Sequence, residues 1–218
     1  IRDRMYNDLT LAFWLIVAGI VFDFFDGFVA RLLHSSSAIG VQLDSLADVI
    51  TSGLAPAAVL WQVCLQTEPC WLPEGWKLGY GVFVLAAFSA LRLAKFNIDE
   101  TQTVEFCGLP TPAGSLLCAS LGMLWQQGML ALSSDGVLLV AVLTSLLLVS
   151  PIRMFALKFH GFGWRGNEVR YLFLLASIVL IIILRTYAIP VIIVLYIVVS
   201  AVRWLCMRSG NPDKAPKA

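Results

Sequence analysis

Residues 9–31 read LTLAFWLIVAGIVFDFFDGFVAR, and this stretch decides the fold. A helix needs about 20 mostly apolar residues to cross a hydrocarbon core roughly 30 Å thick. The run supplies them, then ends in a costly way: Asp23 and Asp26 sit where an ionisable side chain is expensive, so function is the first explanation to test. Six more stretches near spanning length follow, at 43–65, 78–96, 112–132, 136–152, 169–185 and 187–205. The connectors between them are turn-like, rich in Gly, Pro, Ser and Asp. The expected fold is therefore all-α, a polytopic transmembrane helix bundle with about seven visible spans. Residues 1–208 are expected to form one integral-membrane domain, and 209–218 a disordered polar tail. An eighth, N-terminal span is expected to be missing or replaced.

Composition agrees. Of 218 residues, 59% are hydrophobic and 13% charged, with mean hydropathy +0.85. Soluble domains run nearer half apolar and about a quarter charged. A soluble enzyme and a disordered chain are excluded on that ground. The net charge of +1 excludes a nucleic-acid partner, because phosphate-backbone binding wants a basic excess. Five cysteines without a CxxC pair make neither a disulfide framework nor a zinc site.

Basic residues set the orientation. Arg31, Arg92, Lys95, Arg153, Lys158, Arg165, Arg170, Arg203, Arg208, Lys214 and Lys217 fall on one side, eleven of the fifteen. The excess belongs on the cytoplasmic side. The loop after the first span, and the aspartates beside it, are then cytoplasmic.

The second stretch opens with Asp44 and Asp48, in Leu43-Asp-Ser-Leu-Ala-Asp-Val-Ile50. Asp23 and Asp26 are spaced i, i+3 and Asp44 and Asp48 i, i+4, so each pair shares one face of its helix. If the two helices are antiparallel neighbours, all four carboxylates converge. Four like charges need a cation among them, and hard oxygen ligands suit Mg2+ or Mn2+. Gly27 lets a ligand approach the backbone beside Asp26. Arg31 lies two turns beyond Asp23 and is suited to bidentate phosphate binding. Carboxylates, divalent cations and an arginine around one cavity suit phosphoryl-type transfer.

The pattern Asp23-x2-Asp26-Gly27-x2-Ala30-Arg31-x8-Gly40-x3-Asp44-x3-Asp48 resembles the signature of the CDP-alcohol phosphatidyltransferases, with every position filled. Leu91-Arg-Leu-Ala-Lys-Phe-Asn97, Gly108-Leu-Pro-Thr-Pro-Ala113 and Ser150-Pro-Ile-Arg-Met-Phe-Ala-Leu-Lys158 look like the bacterial branch that transfers phosphatidyl groups from CDP-diacylglycerol to L-serine. The resemblance implies a multi-pass protein of the bacterial cytoplasmic membrane, a homodimer, and two divalent cations. Asp23 and Asp44 would bridge both ions, Asp26 would bind one, and Asp48 would bind the other and act as catalytic base. Gly27, Arg31 and Ser37 would contact CDP-diacylglycerol. Arg92, Asn97, Arg153 and Lys158, at cytoplasmic helix ends, are candidates for the acceptor site, because serine's carboxylate wants a fixed cation. Two alternatives stay open: a sister transferase using glycerol 3-phosphate or inositol phosphate, and a cation-coupled transporter. The latter would show paired repeats, and no repeat is visible.

Overall fold

The computed structural model describes residues 8–33, 37–71, 78–98, 105–155 and 167–210. The run quoted first is α1, Leu9–Leu32. After it comes one long rod in three parts: α2 (Ala38–Asp48), a π-helical stretch (Val49–Leu54) and α3 (Ala55–Cys64). Ser37 starts the rod, its Oγ accepting the Gly40 N–H at 3.0 Å, an N-cap that satisfies an otherwise orphaned donor. The π register has a local cause. Pro56 has no N–H to give the preceding turn, and the Ala55 N–H reaches back five residues to the Ile50 carbonyl. The Thr51 hydroxyl donates to the Ala47 carbonyl at 3.1 Å, occupying an acceptor within the shifted ladder.

A 3-10 turn, Leu78–Phe83, leads into α4 (Val84–Ile98). Then follow β1 (Glu105–Cys107), α5 (Thr111–Gln126), α6 (Ser134–Leu148), β2 (Arg153–Phe155), α7 (Glu168–Leu184) and α8 (Ala188–Gly210). The strands pair antiparallel, with Glu105 opposite Phe155 and Cys107 opposite Arg153. Helices α7 and α8 fold back as a hairpin, since Phe173 and Tyr196 meet with ring centroids 5.9 Å apart.

The core lies where α3 packs against α5, α6 and the 3-10 turn, with α1 against α5. Phe13, Leu60, Leu85, Leu124 and Leu148 are fully buried there. Outward faces remain apolar, as Phe22, Leu43, Leu172 and Ile182 illustrate. An apolar exterior is what lipid covers. The protein is a helical membrane protein.

Four segments are long and apolar enough to cross a bilayer: Leu9–Ala30, Ile39–Cys64, Gly79–Ile98 and Glu168–Cys206. Seven were expected. The difference has three sources. The last segment is the α7–α8 hairpin, 39 residues counted as one. The stretch at 112–132 stops as a helix at Gln126, with Gly128 at φ +69° in the turn beyond it. The stretch at 136–152 becomes a 15-residue helix ending at Leu148. The expected tail lies outside the described residues from 211 onward, and so does the region before Asp8.

At the end of the rod opposite Asp44, Asp135 opens α6. Its Oδ2 accepts the Cys70 and Trp71 amides at 3.1 and 2.6 Å, and its Oδ1 accepts the Gly136 amide at 3.0 Å. Burial works to raise this carboxyl, but the hydrogen bonds from Ser133, Trp71, Cys70 and Gly136 outweigh it and hold the group at about 2.

Candidate active site

Helices α1 and α2 bring their acidic faces together. Carboxylate oxygens of Asp23, Asp26 and Asp44 lie within 4.8 Å of one another. Asp23 is half-buried, and Asp26 and Asp44 are exposed. A Cβ at Gly27 would meet nothing within 4 Å, so the surface beside Asp26 is open. Three hard oxygen donors in one open cradle fit a divalent cation of the Mg2+ or Mn2+ type. Asp48 stands outside this trio but within electrostatic reach of Asp23 and Asp44.

The fourth aspartate is held from the other side. Thr111, fully buried at the start of α5, donates its hydroxyl to Asp48 Oδ2 at 3.0 Å. Arg92 Nη1 donates to the Thr111 hydroxyl at 3.2 Å. The guanidinium lies 5.5 Å over the Phe96 ring, and Arg92 as a whole is 8% exposed. Asp48 Oδ1 is buried and has no hydrogen-bond partner among the described residues. A buried carboxylate oxygen without a donor costs free energy unless something arrives to satisfy it. This orphaned atom is a second observation that fits a cation or a substrate hydroxyl.

The packing behind the site is tight. A Cβ at Gly53 would stand 2.9 Å from Ser89 Cβ, so only glycine lets the π stretch approach α4 this closely. Ser89 lies three residues before Arg92, one turn away on the same helix face. Asn97, at the end of α4, donates Nδ2 to Ser45 Oγ at 2.8 Å and ties α4 to the residue beside Asp44. Arg92, Lys95 and Phe96 also line a pocket of about 270 Å3, together with Cys107, Leu148 and Ser150.

The other residues read from the sequence fall as follows. Gly27 and Arg31 are in α1, but the Arg31 side chain lies outside the described residues. The Ser37 oxygen serves as the N-cap of α2. Arg153 is in β2, opposite Cys107 at the cavity wall. Lys158 lies outside the described residues. Sequence reasoning included Thr111 in the quoted stretch Gly108–Ala113 but gave it no role at the site, although a hydroxyl residue stands there between Pro110 and Pro112 at the start of a helix.

With this geometry in place, the comparisons with known proteins are decisive. The family model described as CDP-alcohol phosphatidyltransferase matches residues 4–155. The chain belongs to the CDP-alcohol phosphatidyltransferase family. It is also similar to three bacterial proteins that bear one name, CDP-diacylglycerol–serine O-phosphatidyltransferase. The Bacillus subtilis (strain 168) protein is 32% identical, over 74% of this chain and 84% of its own. The Helicobacter pylori (strain ATCC 700392 / 26695) protein is 32% identical, over 89% and 80%. The Mycobacterium tuberculosis (strain ATCC 25618 / H37Rv) protein is 35% identical, over 100% and 78%. Within the phosphatidyltransferase, the signature spans both helices that build the acidic cradle, from Asp23 in α1 to Asp48 at the end of α2.

Proposed function

We propose that this phosphatidyltransferase moves the phosphatidyl group of CDP-diacylglycerol to the hydroxyl of L-serine, giving phosphatidylserine and CMP. The observation that carries the reading is the convergence of Asp23, Asp26 and Asp44 within 4.8 Å, from two helices of a family signature. The names of the similar proteins support serine as the acceptor. Asp23 and Asp44 would bridge two divalent cations, Mg2+ or Mn2+, with Asp26 on one and Asp48 on the other. Bound there, such ions neutralise charge on the pyrophosphate and polarise the phosphorus.

The protein's own groups do the rest. Gly27, Arg31 and Ser37 hold the cytidine diphosphate, and the open surface at Gly27 suits close approach of a phosphate. Arg92 and Asn97, with Arg153 and Lys158, receive the acceptor; Arg92 and Lys95 on one cavity wall suit an anionic group. Asp48 takes the serine hydroxyl proton through Oδ1, the oxygen with no donor among the described residues. The serine Oγ–P bond forms, and the bond from phosphorus to the CMP oxygen breaks with its electron pair. The chain crosses the bacterial cytoplasmic membrane seven times in this reading, works as a homodimer, and opens the site to the cytoplasm, where the basic excess lies.

Lys95 beside Arg92 favours one second reading, a phosphorylated acceptor. The test is direct. Purified protein with CDP-diacylglycerol and Mn2+ is given serine, glycerol 3-phosphate or inositol phosphate in turn. CMP release with serine is the expected result. Release with glycerol 3-phosphate alone overturns serine and leaves the transferase intact.

A further inference from the structure

Thr111 has no exposed surface, yet both functions of its hydroxyl are engaged. An arginine can only donate, so its N–H must point at the Thr111 oxygen. The single hydroxyl proton is then committed to Asp48 Oδ2. The relay runs one way, Arg92 to Thr111 to Asp48, across three helices. Its outer end is anchored by burial of Arg92 and by the Phe96 ring.

Thr111 itself is delivered by a rigid turn. Gly108 takes φ +78°, a conformation open to glycine at little cost. Its amide donates to the Ile152 carbonyl at 2.9 Å, and the Leu109 amide to the Leu147 carbonyl at 2.9 Å. Leu109 is fully buried, and Pro110 fixes the entry to α5. The turn is thereby fastened to the end of α6 and the strand ribbon.

We infer that Thr111 is a positioning residue for the transfer reaction: held by Arg92, its hydroxyl fixes Asp48 through Oδ2 and leaves Oδ1 without a donor among the described residues. The inference rests on the reading of Asp48 as base and cation ligand. Partners that orient a ligating carboxylate from behind typically matter by about 10- to 100-fold in metal affinity or activity. Arg92 then has two duties, and its loss acts on turnover as well as on acceptor binding.

The experiment uses the full chain in nanodiscs, with Thr111→Val removing the hydroxyl at constant shape and Thr111→Ser retaining it. Readouts are kcat, KM for each substrate, and Mn2+ affinity by electron paramagnetic resonance without substrates. Thr111→Val should lower kcat roughly 10- to 100-fold and weaken one Mn2+ site about tenfold, with serine KM within about twofold. Thr111→Ser should recover most of both losses. Wild-type kcat and Mn2+ affinity in Thr111→Val overturn the inference, and so does a Thr111→Ser variant as impaired as the valine one. Should valine not fold, Arg92→Met cuts the same relay one bond further out. It must weaken substrate-free Mn2+ binding in the same sense, and unchanged affinity there also overturns the inference. Asp48→Asn separates the two layers. If it is inactive while Thr111→Val is normal, only the role of Thr111 falls; if Asp48→Asn keeps wild-type kcat, the reading of Asp48 falls.

Discussion

Two acidic places sit at opposite ends of the same rod, about 30 Å apart by helix rise from Asp44 to Cys64. At one end Asp135 accepts three backbone amides and closes the chain at residues 70 and 71 onto the start of α6. At the other, Asp23, Asp26 and Asp44 crowd one another, and Asp48 keeps a buried oxygen without a donor among the described residues. Both are carboxylates near the ends of apolar helices, and composition does not tell them apart. Hydrogen-bond satisfaction does. A carboxylate whose donors come from its own fold contributes to stability, whereas a group of carboxylates facing only each other is held ready for a ligand at a cost to the fold.

The comparison breaks most sharply at Asp44. Asp44→Asn should lower activity by on the order of 10³-fold or more, at any Mn2+ concentration, since charge neutralisation dominates this chemistry. In chelator the same variant should melt no lower than wild type, because a repulsion has been removed. Full activity, or a clear drop in melting temperature, would place Asp44 with Asp135 as a structural group.

Metal titration sharpens the contrast. Mn2+ at a hundredfold excess over Kd should stabilise the wild type by about 2.7 kcal/mol. The gain should vanish in Asp44→Asn and persist in Asp135→Asn. Equal stabilisation of all three proteins, followed by calorimetry, would detach cation binding from the cradle.

The smallest effect is expected at Asp135. Asp135→Asn should lower the melting temperature by about 4 °C and leave kcat unchanged. Its folded carboxyl is held at about 2, below the ordinary 3.8. The contribution is therefore complete above the ordinary value and lost as pH falls through about 2. Melting curves of wild type and Asp135→Asn should stay separated at neutral pH and converge in strong acid. A gap independent of pH would mean that the amides, and not the charge, carry the effect.

Much of this was legible in advance. The hydropathy runs mark all the long helices, and the i, i+3 and i, i+4 spacings put each aspartate pair on one face. Local periodicity carries that information. What it does not carry is contact across the chain. Thr111 and Asp48 are 63 residues apart, and no spacing rule joins them. The same limit hid the separation of Asp48 from the other three aspartates. Strands of three residues, β1 and β2, are too short to leave an alternation. Ser37 reads equally well as a ligand contact or a helix cap, because one hydroxyl suits both. The stretch expected at 112–132 is marked less clearly than the others for another reason: Gly114, Ser115, Ala119, Ser120 and Gly122 serve close helix packing, which dilutes hydropathy in a buried helix.

The π-helical stretch turns spacing itself into a constraint. Because Ala55 reaches back five residues instead of four, one residue is spent on rotation, about 100° of it. Deleting any single position between Val49 and Leu54 would spare every aspartate and still swing Asp44 and Asp48 away from α1, or α3 out of the core. Along this part of the chain, substitutions are tolerable errors and changes of length are not.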